Sequence, residues 1–304
     1  MFLARKLLCI LSVFLFNPLI SAQSKPETLN LTFTTIDVPG AMNTVVTAIN
    51  TSGEMVGYWY NPGPKATGFL LSGGNFTFFE YPGSGTTEPF GINDSGLISG
   101  TAFLFQNTAS VGFIYDGTTF TTIRVPARQH TVVYGVNDAG AIVGGDGGAS
   151  ANQAFELAGS RFRNVTPPPG GWITAVATRI NNSNEIVGLT TAAATNGFAF
   201  KQGKFQTVTF PGSGTLTTTA WGVNDSGIIV GTYSGCSPCT FHGFVLMNGR
   251  YLSIDYPGAE ATYIDGINNA GQLVGSYTFD QQTFHGFVTT PVITPAFERV
   301  SSTQ

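Results

Sequence analysis

Charged side chains are scarce in this chain: Asp, Glu, Lys and Arg together make up 10% of its 304 residues. The 13 Lys and Arg residues form no basic run, and 17 Asp and Glu residues outnumber them. A protein that binds nucleic acid by neutralising phosphates needs clustered Lys and Arg. The composition therefore argues against a nucleic-acid partner.

The apolar run at the start of the chain is too short to span a membrane. It covers about 14 residues from Leu7 to Ile20 and is interrupted by Asn17-Pro18, whereas a spanning helix needs about 20. Basic residues precede it and Ser21-Ala22 ends it, the pattern of a cleaved secretory signal peptide. Residues 1–22 are therefore predicted to be a signal peptide. The mature chain, with 11 basic against 17 acidic residues, is expected to be secreted, periplasmic or on the cell surface, without a transmembrane segment.

Cysteine is also scarce, with three residues, of which Cys9 belongs to the predicted signal peptide. Cys236 and Cys239 remain, separated by Ser-Pro. In an oxidising compartment such a pair is expected to form a disulfide. Two alternatives stay open: a thioredoxin-like redox pair, which would need βαβ surroundings, and a metal site with His242, which lacks an obvious fourth ligand. We expect no metal and no cofactor.

Helical periodicity is absent from the mature chain, and a repeat of about 44 residues takes its place. The pattern Ile/Val-Asn-x-Ser/Ala-Gly/Asn recurs at intervals of 43, 44, 44, 43 and 44 residues. Its asparagines are Asn50, Asn93, Asn137, Asn181, Asn224 and Asn268. A fixed period of this length is typical of chains built from identical supersecondary units that bury their apolar faces against one another.

Each unit contains four β-rich runs. The first ends at the asparagine, and the tight turn after it carries Gly or Asn where a hairpin needs positive φ. The second run closes on a glycine, the third begins with Gly/Ala-Phe, and the fourth alternates apolar and polar residues before a proline. The repeated phenylalanines are predicted to be core residues: Phe69, Phe113, Phe155, Phe198, Phe244 and Phe287.

Four short strands per unit predict a propeller blade. The last unit supplies three strands, and the N-terminal run Leu31–Val38, followed by Pro39-Gly40, matches Leu252–Tyr256. We therefore predict an all-β, six-bladed β-propeller with four antiparallel strands per blade over residues 23–290, followed by a tail of residues 291–304. The N-terminal strand should complete the last blade and close the ring, which removes exposed sheet edges. We expect a monomer.

Two motifs resemble a bacterial extracellular repeat family named for its His-Ala-Phe (HAF) motif. His242-Gly243-Phe244 and His285-Gly286-Phe287 carry one motif, and the segments 91–96 and 222–227 carry Gly-Ile/Val-Asn-Asp-Ser-Gly. The resemblance covers nearly the whole mature chain and implies a secreted or surface repeat protein without a defined activity. Only two of the six units have the histidine, and both have glycine in place of the alanine.

The candidate ligand-binding residues lie where the repeat is broken. In a propeller, the loops that lead into each first strand, here called the lead-in loops, share one face, and varied loops on a rigid scaffold carry function. The predicted lead-in loops include residues 82–88, 126–131, 167–174, 211–218 and 257–262. From these loops and the adjoining axial strands we expect Arg128, His130, Trp172, Trp221, Tyr134, Tyr263 and Asp265 to bind a ligand.

Asp265 is the least repeat-like of these residues. Its position holds Thr47, Phe90, Tyr134, Thr178 and Trp221 in the other units. A desolvated carboxylate there should have a raised pKa, as expected of an acid or of a ligand-binding group. The alternative interpretation is an aspartate that is hydrogen-bonded and braces the inner strand.

Other polar residues are predicted to be structural. The position of His242 and His285 holds Thr67, Val111, Gln153 and Asn196 elsewhere, which argues against shared chemistry. The turn aspartates, Asp94, Asp138 and Asp225, offer one carboxylate each, whereas a calcium loop uses several oxygen ligands. We expect them to hydrogen-bond the backbone of their own turns.

Two functions follow. The favoured one is a secreted, non-catalytic recognition or scaffold propeller that binds a glycan or an extracellular protein through its lead-in face. The alternative is a polysaccharide- or peptide-processing enzyme of lyase or glycosidase type, in which Glu88, His130, Glu260 and Asp265 act as acid and base at the axis. Arg128 would then neutralise a substrate carboxylate. That alternative needs two convergent carboxylates, or a histidine with a partner.

Overall fold

The computed structural model describes residues 31–104, 109–146, 153–167, 174–192, 194–212, 215–235 and 240–291. The predicted signal peptide, Trp172, Cys236, Cys239 and residues 292–304 of the predicted tail lie outside this part of the chain. The described residues form strands and turns and no helix. Accordingly, they contain no helix of the length and apolarity that a membrane span requires.

The strands form four-stranded units that we number in chain order. Unit 1 contains β2 (Asn43–Ile49), β3 (Met55–Tyr60), β4 (Ala66–Ser72) and β5 (Asn75–Phe79). Unit 2 contains β6 (Ser84–Ile92), β7 (Ile98–Leu104), β8 (Ser110–Tyr115) and β9 (Phe120–Ile123). Unit 3 contains β10 (Val132–Val136), β11 (Ile142–Asp146), β12 (Gln153–Ala158) and β13 (Arg161–Asn164).

The second half of the chain follows the same order. Unit 4 contains β14 (Thr174–Ile180), β15 (Ile186–Thr191), β16 (Thr195–Lys201) and β17 (Lys204–Val208). Unit 5 contains β18 (Thr215–Val223), β19 (Ile229–Gly235), β20 (Phe241–Met247) and β21 (Arg250–Ile254). Unit 6 contains β22 (Ala261–Ile267), β23 (Leu273–Thr278), β24 (His285–Thr289) and the N-terminal β1 (Phe33–Ile36).

Within each unit the strands pair antiparallel in a meander, and β1 pairs antiparallel with β24, from Phe33 opposite Thr289 to Ile36 opposite Gly286. Two strands begin earlier than the sequence pattern predicts, since residues 84–88 and 215–218 belong to β6 and β18 and not to lead-in loops. The cause is that these segments continue the pairing with β7 and β19. Glu88 therefore projects from a strand.

The core lies between neighbouring units. One cluster combines Ala48 and Val56 of unit 1 with Ile92, Ile98 and Phe113 of unit 2. All six repeated phenylalanines are buried, as predicted, and burying such a side chain contributes about 1.5–3 kcal/mol. Each unit therefore depends on its neighbours for the burial of its apolar face.

The first strand of each unit contains a β-bulge at the same place. The pairing register with the second strand skips one residue, for example between Val46 and Ala48 and between Ile264 and Gly266. The skipped residues are Thr47, Phe90, Tyr134, Thr178, Trp221 and Asp265. A bulge leaves one residue unpaired and re-aims its side chain. The bulges thus explain why the skipped residues, which differ from unit to unit, can face the axis.

The repeated asparagines connect the units on the face opposite the lead-in loops. Each Nδ2 donates to the main-chain carbonyl of the asparagine in the next unit, from Asn50 to Asn93 and onward. Asn268 of unit 6 donates to the carbonyl of Asn50 in unit 1 at 3.0 Å. Each Oδ1 meanwhile accepts an N–H of its own turn, such as that of Leu97. The repeat asparagine therefore both shapes its turn and binds the next unit.

Candidate functional site

A cavity of about 150 Å³ lies at the axis, beside the bulges. The lining residues are Val45, Thr47, Tyr58, Phe90, Tyr134, Thr178, Arg179, Trp221 and Asp265. The two threonines do not reach into open space, because Thr47 donates to the carbonyl of Pro89 and Thr178 to that of Ala220, each in the next unit. The aromatic and charged side chains are therefore the groups that can meet a ligand.

Arg179 forms the floor of this cavity. Its guanidinium donates to three main-chain carbonyls: Phe90 at 2.7 Å, Thr47 at 3.1 Å and Asp265 at 3.2 Å. One side chain of unit 4 thereby binds units 1, 2 and 6. Enclosure by protein lowers the pKa of Arg179 to about 10, although the nearby Asp265 opposes this shift. The guanidinium remains charged at neutral pH.

Sequence reasoning missed Arg179, although the repeat carries a signal for it. The position two residues before the repeat asparagine holds Ala48, Gly91, Gly135, Gly222 and Gly266 in the other units. These small residues leave the space that the arginine occupies. A Cβ on Gly91 would lie 3.2 Å from Nη1 of Arg179, and one on Gly135 would lie 3.0 Å from its Cα. A single arginine at a repeat position that otherwise holds Ala or Gly is the signal in the sequence for a distinct role of this residue at the axis.

A second, smaller cavity of about 70 Å³ lies on the asparagine side of Arg179. It is lined by the ends of the first strands and by turn residues such as Asn93 and Asp138. Arg179 contributes to both cavities. Its guanidinium therefore separates the lead-in side of the axis from the asparagine side.

Two carboxylates are present on the lead-in side. Burial raises the pKa of Asp265 to about 7, and the positive charge of Arg179 only partly offsets this. Burial likewise raises the pKa of Glu88 to about 7. No hydrogen bond from a described residue contributes to either shift. Both carboxyl groups are partly buried and have no hydrogen-bond donor among the described residues. Both lie close enough to Tyr58 for their charges to raise its pKa.

Aromatic rings form the rest of the cavity wall. The Phe90 and Tyr134 centroids lie 4.6 Å apart, and those of Tyr134 and Trp221 lie 6.1 Å apart. Tyr58 meets Phe90 edge-on at 6.4 Å. Because successive rings are inclined by 77°, 39° and 47°, they form a curved wall and not a parallel stack. Burial raises the pKa of Tyr134 to about 12, so this phenol stays neutral and can donate a hydrogen bond.

Tyr263 lies at the edge of this site. It is half-buried between Phe241 and Phe284, with centroids 5.3 and 6.1 Å away. Its pKa is raised by burial and by the charge of Asp265. The structure therefore brings together four axial residues predicted from the sequence, namely Glu88, Tyr134, Trp221 and Asp265, with Tyr263 close by.

The predicted loop residues have other partners. Nε of Arg128 forms an ion pair with buried Asp146 at 2.9 Å, and Nδ1 of His130 accepts the N–H of Ser110 at 3.2 Å. Glu260 is exposed and accepts a hydrogen bond from Gln281 at 2.6 Å. None of these three residues lines the axial cavity. Trp172, Cys236 and Cys239 lie outside the described residues.

The histidines have partners of their own. His242 bonds Asp255 at 2.8 Å and His285 bonds Asp37 at 3.0 Å, and each ring stacks on a tyrosine of the neighbouring strand. The hydrogen bond that His242 donates to the carboxylate of Asp255 raises the pKa of the histidine. Within the described ranges, no three His, Cys, Asp or Glu residues form a group that could hold a metal ion.

The turn aspartates differ from expectation in one respect. The Oδ1 of Asp94 accepts the N–H of Thr51, and that of Asp138 accepts the N–H of Asp94, both at 2.8 Å. These acceptors therefore reach the preceding unit and not their own turn. The reason is that the repeat asparagine already occupies the donors of its own turn, such as the N–H groups of Ser95 and Leu97.

Comparison with known proteins shows the fold and not the activity. No protein-family model matches the chain, and no curated protein matches its sequence. Among solved structures it is similar to TolB from Acinetobacter baumannii, with 10% identity, a TM-score of 0.54 and coverage of 83% of this chain and 65% of TolB. The chain thus spans slightly less than two thirds of TolB.

It is also similar to a triple mutant of AofleA from Arthrobotrys oligospora, with 13% identity, a TM-score of 0.51 and coverage of 85% and 82% of the two chains. A match to the β-propeller domain of the Trilobed protease from Pyrococcus furiosus has 8% identity, a TM-score of 0.47 and coverage of 86% and 99%. The chain is all-β, with four-stranded sheet units and a fold of the β-propeller type. Because propellers host many unrelated functions, any function must be argued from the axial site.

Proposed function

We propose that this chain is a secreted, non-catalytic recognition propeller whose axial cavity on the lead-in side accepts a terminal group of a glycan or an extracellular protein. One observation carries the proposal. The cavity combines an aromatic wall with Asp265, a carboxylate that accepts no hydrogen bond from a described residue. Glu88 does not line the cavity, but its charge lies close enough to Tyr58 and Tyr134 to raise their pKa values. Asp265 is only partly buried, so its carboxylate oxygens are accessible from the cavity and can accept hydrogen bonds from a ligand.

The proposal includes the architecture of the ring and the location of the protein. We infer six blades in a closed ring, with β1 as the fourth strand of the last blade. The hydrogen bond from Asn268 to Asn50 and the pairing of β1 with β24 support this. The signal-peptide pattern supports export, and the motifs around His242 and His285 support membership of the HAF repeat family.

An enzyme is the second candidate, and the same two carboxylates favour it. Two acids with pKa values of about 7 that both lie near Tyr58 match the needs of general acid and base catalysis near neutral pH. The size of the cavity argues for recognition, since about 150 Å³ is below the range of about 300–1,000 Å³ typical of sites for drug-sized ligands. Of the four predicted acid and base residues, only Asp265 lines the cavity, and Arg128 does not line it either.

A binding experiment with three variants tests the proposal. The mature protein, residues 23–304, is screened on a broad glycan array and against a panel of extracellular proteins, alongside Trp221→Leu, Asp265→Asn and the control Asp138→Asn. Asp138 lies on the asparagine side, and unit 4 naturally carries Asn182 at that position. We expect saturable binding that Trp221→Leu and Asp265→Asn abolish and the control retains. Binding that survives both axial variants would place the ligand elsewhere and overturn the proposal.

Turnover separates the two candidates. Polysaccharides and peptides that bind are incubated with the protein, and new reducing ends, unsaturated sugars or new amino termini are measured. We expect none. Turnover that Glu88→Gln abolishes while binding persists would establish the enzyme.

A further inference from the structure

We propose that the axial cavity recognises a protonated or methylated amine, carried as a small cationic group at the end of the ligand. This inference rests on the proposed function, because it specifies the chemistry of the same site. Four properties of the cavity support it: the charge, the carboxylate oxygens without a donor, the aromatic wall and the volume.

The charge balance of the cavity favours a cation. Among the lining residues, Arg179 supplies one positive charge and Asp265 one negative charge when ionised. Glu88, which lies outside the lining but close enough to Tyr58 and Tyr134 to raise their pKa values, adds a second negative charge. The guanidinium already donates to the carbonyls of Phe90, Thr47 and Asp265, which reduces what it can offer an anionic ligand. An incoming anion would also meet both carboxylates. An incoming cation instead restores the balance.

The carboxylate oxygens that lack a donor also favour a cationic ligand. An ammonium group carries up to three donors and no acceptor. Glu88 and Asp265 offer carboxylate oxygens without a donor among the described residues. Charge-assisted hydrogen bonds of this kind are about twice as strong as neutral ones. An amine in the cavity, beside Asp265, would supply a donor that no described residue provides.

The aromatic wall supplies the second contact that a cation needs. Tyr58, Phe90, Tyr134 and Trp221 line the cavity, and their mutual inclinations of 39° to 77° curve the wall around it. Cations are attracted to aromatic faces, most strongly to tryptophan, and aromatic cages bind quaternary ammonium groups. A neutral sugar hydroxyl would gain neither this attraction nor the restored charge balance.

The size of the cavity limits the ligand group. A volume of about 150 Å³ suits a single ammonium or methylammonium head better than a complete drug-sized ligand. The amine can belong to a lysine side chain or to an amino sugar. Both sources present the same ammonium group, and the experiment distinguishes one source from the other.

The test compares a cation with a neutral molecule of the same shape. Choline and 3,3-dimethyl-1-butanol are titrated into the mature protein at pH 8, where the carboxylates are ionised, with binding followed by calorimetry and protein NMR. We expect saturable choline binding and at least about tenfold weaker binding of the neutral molecule. Asp265→Asn and Tyr134→Leu should each weaken choline binding by a similar factor, whereas Tyr134→Phe, which keeps the ring, and Asp138→Asn should not.

The source of the amine is assigned with two further pairs of probes. Nα-acetyl-lysine amide and its trimethylated form are compared with Nα-acetyl-norleucine amide, and glucosamine is compared with glucose. Preference for the lysine compounds identifies a protein ligand, and preference for glucosamine identifies a glycan.

Equal binding of choline and its neutral analogue, or choline binding that Asp265→Asn leaves unchanged, would overturn the inference. If glycans or proteins bind through Trp221 and Asp265 but none of the amines binds or competes, the amine inference fails and the proposed function stands. If choline binds but no glycan or protein binds, the site chemistry is supported and the proposed function in its glycan or protein form fails.

Discussion

The guanidinium of Arg179 donates a hydrogen bond of 2.7 Å to the main-chain carbonyl of Phe90, a residue 89 positions earlier in the chain. This contact crosses the axis from unit 4 to unit 2. With the bonds to Thr47 and Asp265, it makes one side chain a tie among four units. Adjacent units are also joined by burial of the phenylalanines and by the asparagine bonds. Arg179 differs because it joins unit 4 to units 1, 2 and 6, none of which precedes or follows unit 4 directly in the chain.

Replacing Arg179 should therefore destabilise the whole fold. In Arg179→Met, three carbonyls lose their donors and Asp265 loses its neighbouring positive charge. Because removing one partner of a buried charged network costs about 3–5 kcal/mol, we expect a loss of free energy of unfolding of about that size, measured by urea denaturation. Arg124→Met, at an exposed site, is the control and should change stability by less than about 0.5 kcal/mol. Equal stability of the two variants would contradict the role of Arg179 as a tie.

The asparagine bonds yield a prediction that isolates one hydrogen-bond donor. In Asn137→Asp the side-chain acceptor for the N–H of Ala141 is kept. The Nδ2 group, which donates to the carbonyl of Asn181 and to Oδ1 of Asn184, is lost. An ionised carboxylate would moreover face that carbonyl. We expect a loss of about 1–3 kcal/mol at pH 7 that shrinks toward pH 3, where the protonated acid can donate again. Denaturation at the two pH values tests this, and a loss independent of pH would contradict it.

The axial site was only partly predictable from the sequence. The repeat aligns equivalent positions, so departures such as Asp265 and Trp221 stand out, and both line the cavity. Arg179 and Tyr58 carry the same kind of signal. Tyr58 is the only aromatic residue at a position that holds Thr101, Gly145, Leu189, Thr232 and Ser276 elsewhere. Both residues lie outside the first-strand position of Asp265 and outside the lead-in loops, from which the ligand-binding residues are predicted.

The contacts of the loop residues could not be predicted from the sequence, for a physical reason. The pattern places Arg128 and His130 near the lead-in face, but their contacts depend on tertiary geometry. The ion pair of Arg128 with Asp146 joins β11 to a loop 18 residues earlier in the sequence. The side-chain period of a strand determines which residues face the core, and it does not specify the partner of a long side chain on a loop.

The pair formed by His242 and Asp255 predicts a small pH dependence of stability. The hydrogen bond that His242 donates to the carboxylate of Asp255 raises the pKa of the histidine above its value in the unfolded chain. Its contribution is therefore complete below about pH 6.5 and is lost as the pH rises through the raised folded pKa. Because both side chains are partly exposed, we expect less than about 1 kcal/mol.

The measurement is denaturation of the wild type and His242→Gln at pH 5.5 and 8.5. Glutamine is the natural choice, since Gln153 occupies the equivalent position in unit 3. The stability difference between the two proteins should be larger at pH 5.5. A larger difference at pH 8.5 would mean that neutral histidine forms the stronger contact.

Asp265 leads to a prediction of opposite sign, in which removing a charge stabilises the protein. Its folded pKa of about 7 lies above the unfolded value of about 3.9. The folded state therefore holds the proton more tightly, and ionisation of this group reduces the free energy of unfolding as the pH rises from about 4 to about 7. Asp265→Asn resembles the protonated acid and should match the wild type near pH 4. At pH 8 it should be more stable by on the order of 3 kcal/mol.

This experiment also distinguishes the two interpretations of Asp265. A group kept for ligand binding can cost stability, because functional sites trade stability for function. A group that braces the inner strand does not cost stability, because its replacement removes a stabilising contact. Urea denaturation of both proteins at pH 4, 6 and 8 therefore decides the matter. A variant that is less stable than the wild type at pH 8 would identify Asp265 as a structural brace and remove the main support for an axial binding site.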